Sequence, residues 1–140
     1  MSFSSAVSSH NHSLETLNQL YEYDDFMLSL NNVADMGCGT GLDLEWWAGL
    51  QTREDIPQPL KLSCTGFDVL PKLSVAHTHS NIIYQKQNIE DKIKTGKKTF
   101  DVIWCHDTFQ YITNPMQTLS NWNQAMSENG MLVLILPSTI

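Results

Sequence analysis

The sequence predicts a doubly wound α/β fold, in which a mostly parallel sheet of about five strands carries helices on both faces. Short apolar runs alternate along the chain with longer segments whose apolar residues recur at helical spacing. The short runs are continuously apolar instead of alternating, which is typical of strands that are covered on both sides. Right-handed crossovers between such strands place the intervening helices on the two faces.

Length, charge and cysteine content narrow the class of protein. The 140 residues fit one domain, and the net charge of −7, from 15 acidic and 8 basic residues, disfavours nucleic acid as a partner. No stretch is apolar for the ~18 residues that span a bilayer, and the amino terminus does not resemble a secretory signal. Cys38, Cys64 and Cys105 lack the spacing of a zinc site or a disulfide framework, so we expect a reducing, cytoplasmic location.

The amino-terminal residues are rich in serine, asparagine and histidine. We expect residues 1–12 to be a disordered lead, because this composition offers little to bury, and residues 13–140 to form the domain. From Ser13, acting as the N-cap, to about Leu30 we predict one helix, or two with a break near Asp24-Asp25. A first short strand over 33–36 follows.

The rest of the chain repeats the alternation of strand and helix. A helix starting at Leu42 follows a glycine-rich loop, and residues 51–60 are predicted to be a polar connection. Later helices are expected to begin near Pro71 and at Asn114-Pro115, since proline is compatible with a first helical turn. The remaining strands are predicted at 61–68, 81–88, 100–105 and, after a turn at Asn129-Gly130, 131–136.

The loop after the first strand is the strongest functional signal. Gly37, Gly39 and Gly41 alternate there, and glycine permits both positive φ and the close approach of a ligand to the backbone. A dinucleotide fingerprint would need a small residue where the chain has Leu42. A phosphate-binding P-loop would need a Gly-Lys-Ser/Thr ending, which the loop lacks. The spacing therefore favours neither of these two ligands.

Polar residues follow several of the predicted strands. Asp68, Asn88 and the segment Cys105-His106-Asp107 stand at successive strand ends, and the carboxyl ends of parallel strands meet at one edge of the sheet. We expect them to converge there with the glycine loop. Each residue also has a simpler explanation, since Asp68 could be a turn residue and His106 a packed histidine.

Four motifs resemble those of the class I S-adenosylmethionine-dependent methyltransferases, whose fold is Rossmann-like. The first, VADMGCGTG, is similar to that family's glycine loop, and the resemblance makes Asp35, Gly37, Cys38, Gly39 and Gly41 part of the cofactor site. Asp35 could also serve only to pin the loop. The second motif, CTGFDVLP, implies that Asp68 holds the ribose hydroxyls, while Val69 and Leu70 lie against the adenine.

The third and fourth motifs complete the resemblance. In YQKQNIED, Asn88 stands where the family usually has an aspartate that recognises the adenine amino group, and Ile89 follows it. In FDVIWCHDTFQYITNP, the resemblance places Cys105, His106 and Phe109 along the methionine end of the cofactor. His106 or Asp107 is the nearest candidate for a general base, whereas Gln110-Tyr111 replaces a pair that often contains histidine.

The implied activity is direct, in-line methyl transfer from S-adenosylmethionine to a small-molecule acceptor, with S-adenosylhomocysteine (SAH) as product and no metal required. The alternatives are a cofactor-binding module without transferase activity and, more distantly, an NAD-binding domain. The family's sheet usually has seven strands, so we expect a domain that is short at its carboxyl end and lacks the last two strands. A second copy of the chain could then cover the open edge of the sheet.

Overall fold

The computed structural model describes residues 3–22, 30–53, 61–69, 79–94 and 98–137. Its strands are β1 Asn32–Met36, β2 Ser63–Asp68, β3 Ile82–Lys86, β4 Phe100–His106 and β5 Met126–Ile135. They form one sheet in the order β3-β2-β1-β4-β5, and all four neighbouring pairs are parallel. Strands β2 and β3 therefore lie on one side of β1, and β4 and β5 lie on the other. The glycine loop begins at the end of β1, where the strand order reverses.

The described helices are α1 Phe3–Tyr21, α2 Leu42–Gly49 and α3 Pro115–Ala125. Short 3-10 turns over Leu50–Thr52 and Phe109–Tyr111 follow α2 and β4. As predicted, α3 begins with proline in its first turn, and the Asn114 side chain accepts a hydrogen bond of 3.2 Å from the Gln117 N–H. Within the described ranges, no helix combines the length and apolarity needed to cross a membrane.

Both faces of the sheet are buried. Successive residues of a strand point to opposite faces, so Val33 of β1 packs with Leu17 of α1 and Trp47 of α2, while the next residue, Ala34, packs in the cluster that includes Trp122 of α3. All five residues are fully buried. This two-sided burial explains the continuously apolar runs and confirms the doubly wound fold.

The amino-terminal helix differs from the prediction. Helix α1 begins at Phe3, so the expectation of a disordered lead over residues 1–12 is wrong from that residue onward. Ser13 is not an N-cap but lies inside the helix, where its hydroxyl donates to the His10 carbonyl and to the Asp43 carboxylate, each at 2.8 Å. The contact with Asp43 of α2 stabilises a polar segment whose composition alone predicts disorder.

The last strand also differs from the prediction. Strand β5 begins at Met126, five positions before the predicted start at Met131, and the predicted turn at Asn129-Gly130 lies inside it. Met126 pairs with Phe100 and Met131 with Val102, so the intervening residues of β5 form an irregularity in the ladder. Five steps along β5, from Met126 to Met131, correspond to only two along β4, and a Cβ on Gly130 would lie 2.3 Å from the Met126 side chain. The chain therefore loops out of the ladder at the Asn-Gly pair.

Some predictions fall outside the described residues. These are the second half of the first predicted helix, most of the connection over 51–60 and the helix expected near Pro71.

Candidate functional site

The glycine loop folds over the end of β2. The N–H groups of Gly37 and Cys38 both donate to the Phe67 carbonyl, at 2.8 and 3.1 Å, and the Gly41 N–H donates to the Cys38 carbonyl at 2.9 Å. Gly37, Gly39 and Gly41 have φ values of +77°, +53° and +88°, a region that other residues rarely adopt. The loop conformation therefore depends on glycine at all three positions.

The three glycines face different surroundings. A Cβ on Gly37 would lie 2.7 Å from side-chain atoms of Thr108, and one on Gly41 would collide with the Tyr84 hydroxyl. A Cβ on Gly39 would meet no atom within 4 Å. Gly37 and Gly41 are thus required by the protein's own packing, whereas the Gly39 backbone is open to a bound molecule.

Asp68 connects β2 to this loop. Its Oδ2 accepts a hydrogen bond of 3.1 Å from the Gly39 N–H. The β2 carboxylate and the open backbone of the loop are therefore held next to each other, as expected from the convergence of strand ends.

A cleft of about 220 Å³ opens beside Asp68. Its lining comes from the loop, the ends of β2 and β3, and the segment after β4: Gly37, Asp68, Val69, Asn88, Ile89, Glu90, Thr108, Tyr111 and Ile112. The first five of these are residues that the sequence singles out. The structure thus brings together polar groups and apolar side chains in one concave site, which is the usual form of a small-molecule site.

Asn88 and Glu90 shape the wall of the cleft at the end of β3. The Asn88 Oδ1 accepts a hydrogen bond of 3.0 Å from the Glu90 N–H. The Glu90 carboxylate in turn accepts from the N–H groups of Thr113 and Asn114, at 3.0 and 3.1 Å. These bonds join the β3 end to the beginning of α3 and fix the two walls relative to each other.

Other predicted site residues lie behind the cleft. Asp35 is 3% exposed, and burial, with the nearby carboxylates of Asp43 and Asp68 adding to it, raises its pKa well above the usual value. Cys38 and Cys105 are also buried, and burial raises the pKa of the Cys105 thiol to about 12. Phe109 packs on Trp122, with ring centroids 5.7 Å apart. Leu70 lies outside the described residues.

The two general-base candidates follow one another at the end of β4. Asp107 has a φ of +59°, its N–H donates to the Ile135 carbonyl at 2.9 Å, and its Oδ1 accepts from the Gln110 amide at 3.2 Å. The His106 side chain is 8% exposed, and its Nδ1 lies 3.4 Å from Oδ2 of Asp43. Neither residue is part of the lining of the cleft described above.

Sequence reasoning missed Asp43, Glu90, Thr108, Tyr111 and Ile112. An acidic residue in the first turn of a helix that follows the glycine loop was a usable signal for Asp43, because that turn must lie near the strand ends. The other four follow strands β3 and β4 closely, but their side-chain directions depend on irregular loops that have no periodicity.

Gln110 carries an unsatisfied polar atom beside these residues. Its Oε1 is buried and accepts no hydrogen bond from the described part of the chain, while its amide nitrogen donates to Asp107. Buried polar atoms are nearly always paired in folded proteins. A donor on a bound molecule could satisfy this oxygen.

Comparison with known proteins assigns the chain to a family. A profile described as "Methyltransferase domain" matches residues 34–134, and the chain therefore belongs to the methyltransferase-domain family. This confirms the resemblance inferred from the four motifs.

Similar proteins include two O-methyltransferases. The chain is 30% identical over 112 residues to the ubiquinone biosynthesis O-methyltransferase of Glaesserella parasuis serovar 5. The aligned region covers 73% of this chain and 43% of that protein. The chain is 28% identical over 107 residues to the malonyl-[acyl-carrier protein] O-methyltransferase of Halalkalibacterium halodurans, covering 72% of this chain and 37% of that one. The chain thus spans less than half the length of these relatives.

The fold is shared with solved structures. One is the trans-methyltransferase CalH in complex with SAH, with a TM-score of 0.66 and 15% identity over 79% of this chain and 34% of that chain. At this level of identity the likeness concerns the fold, and it confirms the Rossmann-like arrangement.

Proposed function

We propose that this chain binds S-adenosylmethionine at the carboxyl edge of its sheet and transfers the methyl group to a small-molecule acceptor, leaving SAH. Membership of the methyltransferase-domain family supports this proposal, as do relatives named O-methyltransferases. The observation that carries it is the pairing of Asp68 with the open backbone of Gly39 at the mouth of the cleft.

The residues of the cleft fit the adenosine part of the cofactor. A carboxylate accepts up to about four hydrogen bonds, so Asp68 can hold both ribose hydroxyls in addition to the Gly39 N–H. Val69, which is 51% exposed, and Ile89 offer apolar surface to the purine. The Asn88 amide oxygen can accept a second hydrogen bond, from the adenine amino group, beside the one from Glu90.

The methyl-transfer step needs mainly positioning. When bound, the cofactor supplies a methyl group that its sulfonium sulfur makes electrophilic. The glycine loop and the segment after β4 would hold the cofactor beside the acceptor, and such positioning removes part of the entropic barrier. For an acceptor with a hydroxyl group, His106 or Asp107 takes the proton.

Calorimetric titration with SAH, NAD and ATP tests the ligand. We expect saturable binding of SAH and no comparable binding of NAD or ATP. Tight binding of either nucleotide with none of SAH would contradict the proposal.

Transfer of labelled methyl groups tests the activity. The chain is incubated with methyl-labelled S-adenosylmethionine and a metabolite extract, and we expect label in a small molecule. Binding of SAH without any transfer would favour the cofactor-binding module without transferase activity. A longer natural form of the protein, assayed in parallel, is the appropriate comparison.

The proposal extends to the partner and the compartment. In the described part of the sheet β5 pairs only with β4, and Met131 of β5 and Leu136, which follows it, are 37% and 48% exposed. A second copy of the chain covers this edge. Light scattering should then show a dimer that Met131→Lys dissociates, and a monomer at all concentrations would contradict the proposed dimer.

All three cysteines are free and buried, in keeping with a cytoplasmic protein.

A further inference from the structure

Two buried side chains of α3 donate hydrogen bonds to the backbone of the cleft wall that follows β3. The Trp122 indole N–H donates to the Ile89 carbonyl at 2.9 Å, and the Asn121 Nδ2 donates to the Glu90 carbonyl at 2.8 Å. Trp122 and Asn121 are 0% and 5% exposed. Neither side chain is part of the cleft lining described above, but both residues that they hold are.

The direction of these two hydrogen bonds follows from the groups involved. A carbonyl oxygen only accepts hydrogen bonds, so the nitrogen of the Asn121 amide must face Glu90. The Asn121 Oδ1 in turn accepts from the Gln117 Nε2 at 3.1 Å, one helical turn earlier. The indole nitrogen of Trp122 is a donor only. Helix α3 therefore presents two oriented donors to neighbouring carbonyls of the wall.

One peptide group links Trp122 to Asn88. The Ile89 carbonyl and the Glu90 N–H belong to the same planar peptide group, so they cannot turn independently. The carbonyl accepts from Trp122, and the N–H donates to Oδ1 of Asn88 at 3.0 Å. Asn88 is exposed, and this bond fixes which way its amide oxygen points. A rotation of the peptide group would break both bonds, so α3 orients the Asn88 side chain through the backbone.

We propose that Trp122 and Asn121 are positioning residues for the adenine of the cofactor, because they hold the backbone that places Asn88 and Ile89 at the purine. This role rests on the proposed methyltransferase function. Neither α3 residue touches the purine. They act only through the hydrogen bonds to the carbonyls of Ile89 and Glu90.

The proposal specifies which part of the ligand depends on α3. The Asn88 oxygen accepts from the adenine amino group, and hydrogen bonds weaken steeply when their distance or angle departs from the preferred range. A shift of the wall therefore costs affinity mainly for a ligand that carries this amino group. A ligand with inosine in place of adenosine lacks the group and should be much less sensitive.

Calorimetric titration with SAH and with S-inosylhomocysteine, its counterpart containing inosine, tests the role. We expect Asn121→Ala, and Trp122→Phe, which keeps an aromatic ring without the N–H, to weaken SAH binding roughly 3- to 10-fold. Affinity for S-inosylhomocysteine should change much less. Asn81→Ala is the matched control, because the Asn81 amide also donates to backbone carbonyls, those of Ala48 and Leu62, at the other end of β3. It should leave both affinities near the wild-type values.

A merely structural role for these α3 residues has a different signature. Trp122→Phe and Asn121→Ala would then lower the free energy of unfolding in urea, with the two ligands weakened equally or not at all. Either result would overturn the proposal, as would a wild type that binds SAH and S-inosylhomocysteine alike.

A measurement on the wild type decides the question if the variants do not fold. The four tryptophan indole N–H signals of the ¹⁵N-labelled chain are followed while SAH is added. We expect a saturable shift of the Trp122 signal and little change for Trp46, which packs on Tyr21 at the other face of the sheet. An unmoved Trp122 signal while SAH binds would overturn the proposal. Lack of SAH binding by the wild type would instead overturn the methyltransferase function.

Discussion

Asp68 and Gly39 are joined by a hydrogen bond of 3.1 Å between a carboxylate oxygen and a backbone N–H, which ties the end of β2 to the glycine loop. The bond orients the carboxylate at the mouth of the cleft. It also holds the loop in a conformation that leaves the Gly39 backbone accessible.

Replacement of Asp68 tests its role in binding. We expect Asp68→Ala to weaken SAH binding by roughly 1 to 3 kcal/mol, because the ribose hydroxyls lose a charged acceptor. Calorimetric titration measures the change. Glu128→Ala, which removes an exposed acid from the amino-terminal part of β5, is the matched control. Equal affinities for Asp68→Ala and the control would remove Asp68 from the site.

Alanine at two loop positions should have different effects on stability. Gly39→Ala should cost about 1 kcal/mol, the strain of a positive φ without a collision. Gly37→Ala should cost roughly 2 to 5 kcal/mol, since its Cβ also collides with Thr108. Urea unfolding measures both free energies, and a larger loss for Gly39→Ala would contradict the described loop.

Gly39→Ala also tests whether the glycine loop contacts the ligand. Gly39→Ala places a methyl group on the open side of the loop, so we expect it to weaken SAH binding in a protein that remains folded. Full affinity in folded Gly39→Ala would mean that no ligand approaches the loop at this position.

The amide at position 88 offers a gain-of-function test. The Asn88 Oδ1 is already used by the Glu90 N–H. Asn88→Asp supplies a second acceptor oxygen, so we expect several-fold tighter SAH binding, and Asn88→Ala should weaken it. Titrations with adenosine and inosine provide the control, because inosine lacks the amino group. An equal effect of Asn88→Asp on the two nucleosides would argue against this contact.

The raised pKa of Asp35 leads us to expect that stability depends on pH. Burial raises the pKa of Asp35 in the folded state, so the folded protein binds this proton more tightly than the unfolded chain and loses stability as the pH rises above the unfolded value, 3.8. Asp35→Asn removes this loss. We therefore expect the variant to be more stable than the wild type near neutral pH, with a difference that shrinks toward about pH 4.

Urea unfolding across this pH range measures the difference in unfolding free energy between Asp35→Asn and the wild type. The exposed Asp91→Asn controls for the change in net charge. A stability difference that widens as the pH falls would show that Asp35 is ionised and stabilised in the folded protein.

Strand pattern and glycine spacing were sufficient to predict the sheet, the loop and its meeting with Asp68 and Asn88. These features follow from local rules, since continuously apolar strands need helices on both faces and parallel strands end at one edge. The start of α1 was not predictable in this way, because His10 and Ser13 are ordered by contacts with Asp43, which is distant in sequence.

The direction of His106 was beyond sequence analysis for a related reason. Its position after β4 marks it as a site residue, but whether the ring faces the cleft or α2 depends on the packing of Trp104 and Asp43 around it. The bulge in β5 likewise depends on the partner strand, because an Asn-Gly pair is compatible with both a turn and a bulge.

The most direct test of the site is a titration of the ¹⁵N-labelled chain with SAH, followed through its backbone amide signals. We expect saturable shifts for Val69 and Ile89, which line the cleft, and for Gly39, which is hydrogen-bonded to Asp68, with little change for Glu128 at the opposite end of the sheet. Binding that leaves the first three signals unmoved, or that shifts only residues away from the carboxyl edge, would contradict the proposed site.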